Sequence, residues 1–283
     1  MTIRILADSA CDLPPERLAG LPVEVLPLTV QYDNAEYKDQ VDISPETVYS
    51  AMRKGEIIKT AQVSLQTFLT IFQEAAKEDE TLIYFAFSSG LSGTFSTAKL
   101  AEQQTKEKYP EADLHIIDTK CASLGYGLIV LKAGQMAAEG MDASEIIKHG
   151  IDQSARMEHI FTVDDLEFLY RGGRVSKTAA FIGTMLKIKP LLDMEDGKLV
   201  PREKIRGTKR VLGRMVEVME ERSHNLEGQT IAISHGDCRE RAEQLAEMIR
   251  DKHNVKDIVI EMVGAVIGAH SGPGTLALFF LKD

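Results

Sequence analysis

The sequence predicts an α/β protein of two units, one over residues 1–155 and one over residues 156–283. Three observations carry this. Short apolar runs alternate with amphipathic helical segments through the first half, the rhythm of a mostly parallel sheet with flanking helices. Beyond about Asp142 the apolar runs crowd together, and "LLDMEDGKLVPREKI" sets an Asp-Gly turn between two alternating runs. That is a hairpin signal, and it predicts a mixed or antiparallel sheet with helices in the second half. Finally, 283 residues can bury two modest cores.

In chain order, strands are expected at Ile3 to Ala7, Val23 to Val30, Thr81 to Phe87 and Leu114 to Asp118. Between them "SPETVYSAMRKG" places Ser44 at a helix cap, Pro45 at the first helical position and Gly55 as the stop. A second helix starts at Ser64 and keeps Leu65, Phe68, Leu69 and Phe72 on one face. Two more run near Thr94 to Tyr109 and Leu124 to Glu139, the latter ended by Gly140. "DASEIIKHGIDQSARM" reads as a helix leading into the second unit. There "HIFTVD", "IKPLLDM", "KLVPREKI", "TIAISHG", "DIVIEMVG" and "TLALFFLK" supply strands, with helices at about Lys209 to Arg222 and Arg239 to His253. No Pro/Gly linker marks the junction near residues 150–158, so the units are expected to pack rigidly with a cleft between them.

Composition narrows the function. Hydrophobic residues are 44% and charged residues 27%, ordinary for a globular chain, and the net charge of −10 argues against wrapping nucleic acid. Cys11, Cys121 and Cys238 are odd in number and lack CxxC spacing, which argues against a disulfide framework or a zinc site and fits a reducing cytoplasm. The start "MTIRILADSACD" has no basic region and no long apolar stretch, so it does not read as a signal peptide. No run approaches the roughly eighteen apolar residues of a membrane span.

The densest signal is "YFAFSSGLSGTF", where a buried strand ends and four hydroxyls and two glycines follow before a helix. In an open α/β sheet, ligands settle at the carboxyl ends of strands. Glycines allow close approach, and the helix start presents unpaired N–H groups. Ser88, Ser89, Ser92 and Thr94 add neutral donors, so the loop suits a carboxylate or a phosphate; a ligand-free helix cap cluster is the plain alternative. A P-loop is excluded because no lysine follows Gly93. A nucleophile elbow fails by one position, since Thr94 stands where GxSxG needs its second glycine. A sugar-phosphate loop remains open. Further strand-end or tight loops hold Asp8 and Ser9 in "ADSACDLP", Thr60 in "KTAQVSLQTF" and His270 in "GAHSGPGTLALFF". Ser64 is explained as a helix cap, whereas Thr60 has no local explanation.

"ADSACDLP", "TAQVS", "SSGLSGTF", "DTKCASLGYG", "FLYRGGRVS" and "GAHSGPGTLALFF" occur in this order across nearly the whole chain. That array resembles the DegV family, bacterial fatty-acid-binding proteins that include the FakB subunits of fatty acid kinase. The resemblance implies a two-domain DegV-like α/β fold and an enclosed long-chain fatty acid such as palmitate, stearate or oleate. No other cofactor and no metal is implied. Thr60, Ser92 and His270 would surround the carboxylate, with Ser89 a neighbour and Ser9, Gly93 and Arg171 in support. Many relatives read Thr-Ser-Gln-Pro-Ser where this chain has Thr60-Ala61-Gln62-Val63-Ser64, so one hydroxyl and one stiffening proline are absent. Residues 198–214, "KLVPREKIRGTKRVLGR", hold seven Lys/Arg against a single Glu203, a positive patch in an acidic chain. The resemblance makes Arg206, with Arg202 second, the contact for a partner ATP-dependent kinase that forms an acyl phosphate for phospholipid synthesis. The chain would then be a cytoplasmic, substrate-holding subunit with no catalytic residue of its own and at most transient membrane contact.

A hydroxyl cradle without lysine or arginine would hold the carboxylate without pinning it by a salt bridge. "FLTIFQ", "AFIGTML" and "LALFFL" are the candidate tunnel walls. The rivals are a serine hydrolase using Ser92 and His270 with Asp237, and a phosphosugar-binding enzyme.

Overall fold

The β-rich runs of the first half assemble as their pattern dictates. The computed structural model describes residues 2–176 and 188–283. β1 (Ile3–Asp8), β2 (Val23–Leu26), β6 (Thr81–Ala86) and β7 (Leu114–Asp118) form a parallel sheet in the order β2-β1-β6-β7. The chain leaves β1 toward one edge and β6 toward the other, so the switch point lies between them, where a crevice opens at the strand ends. Asp8 braces that point: its buried carboxylate accepts from Tyr84 Oη at 2.6 Å and from the Phe87 N–H at 3.2 Å.

Helices cover both faces of this sheet. α3 (Leu65–Lys77) lays Phe68 on Tyr84, with ring centroids 5.3 Å apart. On the other face α6 (Ala143–Arg156) brings Gly150 against the Phe85 ring, where a Cβ would stand 2.2 Å from the ring. α4 (Thr94–Lys108) follows β6, and α5 (Ser123–Ala138) follows β7 and ends at Gly140, which adopts a positive φ of 81°. Ser44 caps α2 (Pro45–Arg53), accepting from the Thr47 N–H at 3.4 Å, and Ser64 caps α3 in the same way at 3.1 Å. α1 (Pro15–Leu18) is a single turn.

The expected strand Val23 to Val30 is two strands. Pro27 has no N–H to give a ladder, and the chain breaks there into β2 and β3 (Thr29–Tyr32). β3 joins β4 (Ala35–Lys38) and β5 (Lys59–Ala61) in a small antiparallel sheet. Both of those strands are too short and too polar to stand out in the sequence.

The second half is a six-stranded mixed sheet in the order β10-β9-β8-β13-β11-β12. Its strands are β8 (Met157–Thr162), β9 (Ile188–Glu195), β10 (Lys198–Arg206), β11 (Thr230–His235), β12 (Asp257–Met262) and β13 (Leu276–Leu281). Only the β11/β12 pair is parallel among these ladders. The Asp196-Gly197 turn joins β9 to β10 with both φ values positive, 47° and 75°, as a tight hairpin needs. "LALFFL" alternates across the sheet. Leu276, Leu278 and Phe280 pack under α8 (Thr208–Arg222) and α9 (Arg239–Arg250), while Ala277 and Phe279 face the first half. The core on that inner face is continuous from Ile5, Leu82 and Tyr126 to Phe161, Val263 and Phe279. "AFIGTML" lies outside the described residues.

Candidate functional site

Four segments, two from each half, bring their side chains to one cavity of about 370 Å³. Thr60 comes from β5; Ser92 and Gly93 from the loop between β6 and α4. His270 stands in the last turn of α10 (Ala265–Ser271), and Arg174 follows α7 (Glu167–Arg171). Thr60 Oγ1 and His270 Nε2 share a hydrogen bond of 2.7 Å. Ser92 Oγ accepts from the Thr94 N–H at 3.2 Å and lies 2.9 Å from Thr94 Oγ1, at the start of α4. The remaining lining is mostly apolar: Leu28, Phe87, Leu91, Phe161, Val266 and Phe279 among others. The arrangement therefore sets a polar cluster against a mostly apolar lining.

Glycines make this convergence possible. A Cβ on Gly172 would stand 2.3 Å from His270 Nδ1, so "RGGR" must be bare where α10 passes. Gly173, at φ 71°, then reverses the chain and swings Arg174 inward. Gly90 meets the hairpin tip: a Cβ there would be 2.4 Å from the Gly197 carbonyl oxygen, which also accepts from Ser88 Oγ at 2.7 Å. Gly272 and Gly274, at φ 81° and 82°, carry the chain away from His270.

Electrostatics distinguish this cradle from the neutral one expected. Burial, then the nearby Arg174 guanidinium, push His270 down to about 4, so the imidazole is neutral at physiological pH. Arg174 is itself lowered by burial. Its Nε donates to the Leu91 carbonyl at 3.1 Å and its Nη1 to the Gly172 carbonyl. Among the described residues no carboxylate pairs with it. A half-buried cation held, among the described residues, by carbonyls alone, beside a neutral imidazole, leaves room for an anion. The cradle is not, as the sequence suggested, free of arginine: Gly172 and Gly173 turn Arg174 toward Thr60 and His270, while Arg171 lines only the outer groove.

The other expected residues divide. Thr60, Ser92, Gly93 and His270 come together. Ser89 does not line the cavity; its hydroxyl donates to Asp118 Oδ2 at 2.5 Å and accepts from Lys120 Nζ at 3.0 Å. Ser9 is buried one layer back, donating to Asp39 Oδ2 at 2.7 Å and accepting from the N–H of the wall residue Leu28 at 3.1 Å. Arg171 pairs with Glu167 at 2.9 Å and lines an outer groove of about 350 Å³. That groove also reaches Thr60, Arg174 and His270, so the polar cluster faces the surface as well as the cavity. Ser123, Ser234 and Ser271 line the cavity unforeseen, and Ser271 Oγ is buried with no hydrogen-bond partner among the described residues. Of the wall candidates, "LALFFL" contributes Ala277 and Phe279, whereas Phe68 and Phe72 of "FLTIFQ" are core under the parallel sheet.

Folding pairs two of the seven cations of the positive patch with acidic residues. Arg202 pairs with Asp193 and Glu195, each at 2.7 Å, and Arg214 with Glu203, Glu217 and Glu221. Arg206 is exposed, with no ion pair among the described residues. The hydrolase triad is not assembled: Asp237 pairs with Arg53 and His270 Nε2 is engaged by Thr60. Among the described residues no acidic or thiol cluster could hold a metal ion, and no helix is long and apolar enough to cross a membrane.

Fold and site define a class: a three-sheet α/β protein wrapped around a largely apolar cavity to which both halves contribute polar side chains. The chain belongs to the DegV family, whose model, described as an uncharacterised protein of that family, matches residues 2–283. A DegV domain-containing protein of Clostridium perfringens is 45% identical over 282 residues, covering 99% of this chain and 97% of its own. The solved structure reported as fatty acid binding of a DegV family protein from Thermus thermophilus has a TM-score of 0.91 at 29% identity, with 100% of both chains covered. The fatty acid kinase B3 protein of Streptococcus pneumoniae, solved loaded with linoleic acid, shares the fold at TM-score 0.88 and 23% identity over 100% of both chains.

Proposed function

We propose that this chain encloses one long-chain fatty acid and presents its carboxylate to a partner ATP-dependent kinase, which makes the acyl phosphate. Thr60, Ser92, His270 and Arg174 would take the head group and the apolar cavity the tail. Residues 1–155 would supply the hydroxyl loops, and residues 156–283 would cover the tail and complete the head-group end. The observation that carries the reading is the shared polar cluster: Thr60, Arg174 and His270 line both the inner cavity and the outer groove. A ligand sealed inside would thus keep its reactive oxygen within reach of an approaching donor. The similar DegV protein of Thermus thermophilus supports the same reading, since it is reported to bind fatty acid.

The magnitudes assign roles. Each buried methylene contributes about 0.8 kcal/mol, so a chain of some fifteen supplies roughly 12 kcal/mol gross. A charge-assisted hydrogen bond contributes only about 1.5–3 kcal/mol. The tail would set affinity; the head-group residues would set orientation and reactivity. Catalytic chemistry would reside on the kinase, and exposed Arg206 on β10, with Arg202 beside it, is the proposed docking contact.

Denaturing the purified protein and analysing the organic extract by mass spectrometry tests this directly. One fatty acid per chain is expected; a sugar phosphate, or no lipid across repeated preparations, would end the proposal.

A further inference from the structure

Successive side chains of a strand point to opposite faces, so Met157, His159 and Phe161 of β8 share one face. They do not share one cavity. Phe161 lines the inner cavity, Met157 lines an outer one of about 370 Å³, and His159 lines both. The neighbouring strand repeats the pattern: Met194 of β9 lines both cavities, while Asp196 and Gly197 beyond it line the outer one alone. His159 and Met194 are neighbours, one step along the register that pairs Ile160 with Asp193. The two side chains therefore form the partition between the spaces.

The halves of this partition differ in freedom. His159 is buried and held on several sides. Its Nε2 accepts from the Ala122 N–H at 3.1 Å, and its ring stands edge-on to Phe279 at 5.2 Å. Gly125 approaches so closely that a Cβ would be 2.6 Å from that same nitrogen. Met194 is only partly buried and has the flexible, unbranched side chain that adapts to irregular spaces. Behind it the outer cavity is lined by apolar Ile117, Ile151 and Met157 together with charged Lys120 and Glu158. None of Thr60, Ser92, Arg174 and His270 lines it, so it lies away from the head-group end.

We propose that Met194 is the residue that sets acyl chain length: its thioether closes the inner cavity against the fixed His159, and its displacement admits the methyl end of a longer tail into the outer cavity. The inference rests on the fatty-acid reading and assigns that ligand's specificity to one side chain.

The test is competition loading. The full-length protein and its Met194→Ala and Met194→Phe variants are exchanged against an equimolar mixture of saturated acids from myristate to behenate, then analysed by native mass spectrometry. Met194→Ala is expected to raise the arachidate-to-palmitate ratio by about tenfold, the yield of two to four newly accommodated methylenes discounted for imperfect fit. Met194→Phe is expected to lower it. Palmitate loading of each variant reports that it is folded and competent. A ratio unchanged within about twofold in both variants, with palmitate still loaded, would overturn the Met194 assignment alone. Failure of any acid to load on the unmodified protein would overturn the fatty-acid reading and this inference with it.

Discussion

His270 illustrates how a residue acquires its chemistry from its surroundings. Its folded value near 4 lies below the ordinary 6.5 because burial and Arg174 both disfavour the imidazolium. Replacing Arg174 with Gln should raise the His270 value in an NMR titration, yet leave it below 6.5, because burial is the larger cause. The sign for stability follows. Between about 4 and 6.5 the unfolded chain binds a proton that the folded His270 refuses, so this residue costs stability as pH falls through that window. Relative to His270→Gln, the unmodified protein should therefore gain stability as pH rises from 4 to 6.5 and stay level above it, by at most about 3 kcal/mol. Asp8 and Asp39, raised to about 6 by burial, titrate in the opposite sense in the same range, so the comparison must be made against the variant. At Ser92 the expectation is functional. Ser92→Ala should reduce kinase-dependent turnover by about tenfold or more while the extracted lipid content stays near that of the unmodified protein. Loss of lipid with turnover intact would contradict the division of labour between head and tail.

At the scale of elements, the β9/β10 hairpin is the piece that closes the cavity. Met194 and Leu199 pair across it and both line the cavity, while its tip docks on the Ser88–Gly90 loop. Gly90→Ala would force a methyl against the Gly197 carbonyl, a backbone atom that cannot step aside cheaply. A loss of about 1–3 kcal/mol in denaturant unfolding is expected, together with faster hydrogen exchange in the hairpin. The Asp-Gly signal announced this hairpin from the sequence. Where its tip would dock was not legible, because the partner loop lies about a hundred residues away and only the assembled sheets bring them together. The reverse case is Arg174. Nothing local in the sequence distinguishes an arginine turned in by Gly173 from one left outside like Arg171.

Across the whole molecule, the inner core runs without a break from the parallel sheet to the mixed sheet, and the cavity lies within it. The two halves should consequently unfold in one transition. Fragments split near residue 155 are expected to lack native near-ultraviolet dichroism when made separately, because each exposes its share of that face. A fatty acid that binds only the folded chain should raise Tm with ligand concentration, by mass action.

The sequence by itself determined most of the longer elements, the parallel and mixed sheets, the capped helices, the hairpin turn and the hydroxyl-rich loop after β6. Each depends on periodicity, caps or turn chemistry that acts over a few residues. Tertiary structure alone decided that Thr60 meets His270, that Arg174 rather than Arg171 stands beside them, that Ser89 turns to Asp118, and that acidic residues pair with Arg202 and Arg214 of the basic patch. Those outcomes depend on which distant surfaces are buried together, and burial and proximity, which set charge and hydrogen bonding, exist only once the two sheets have closed on each other.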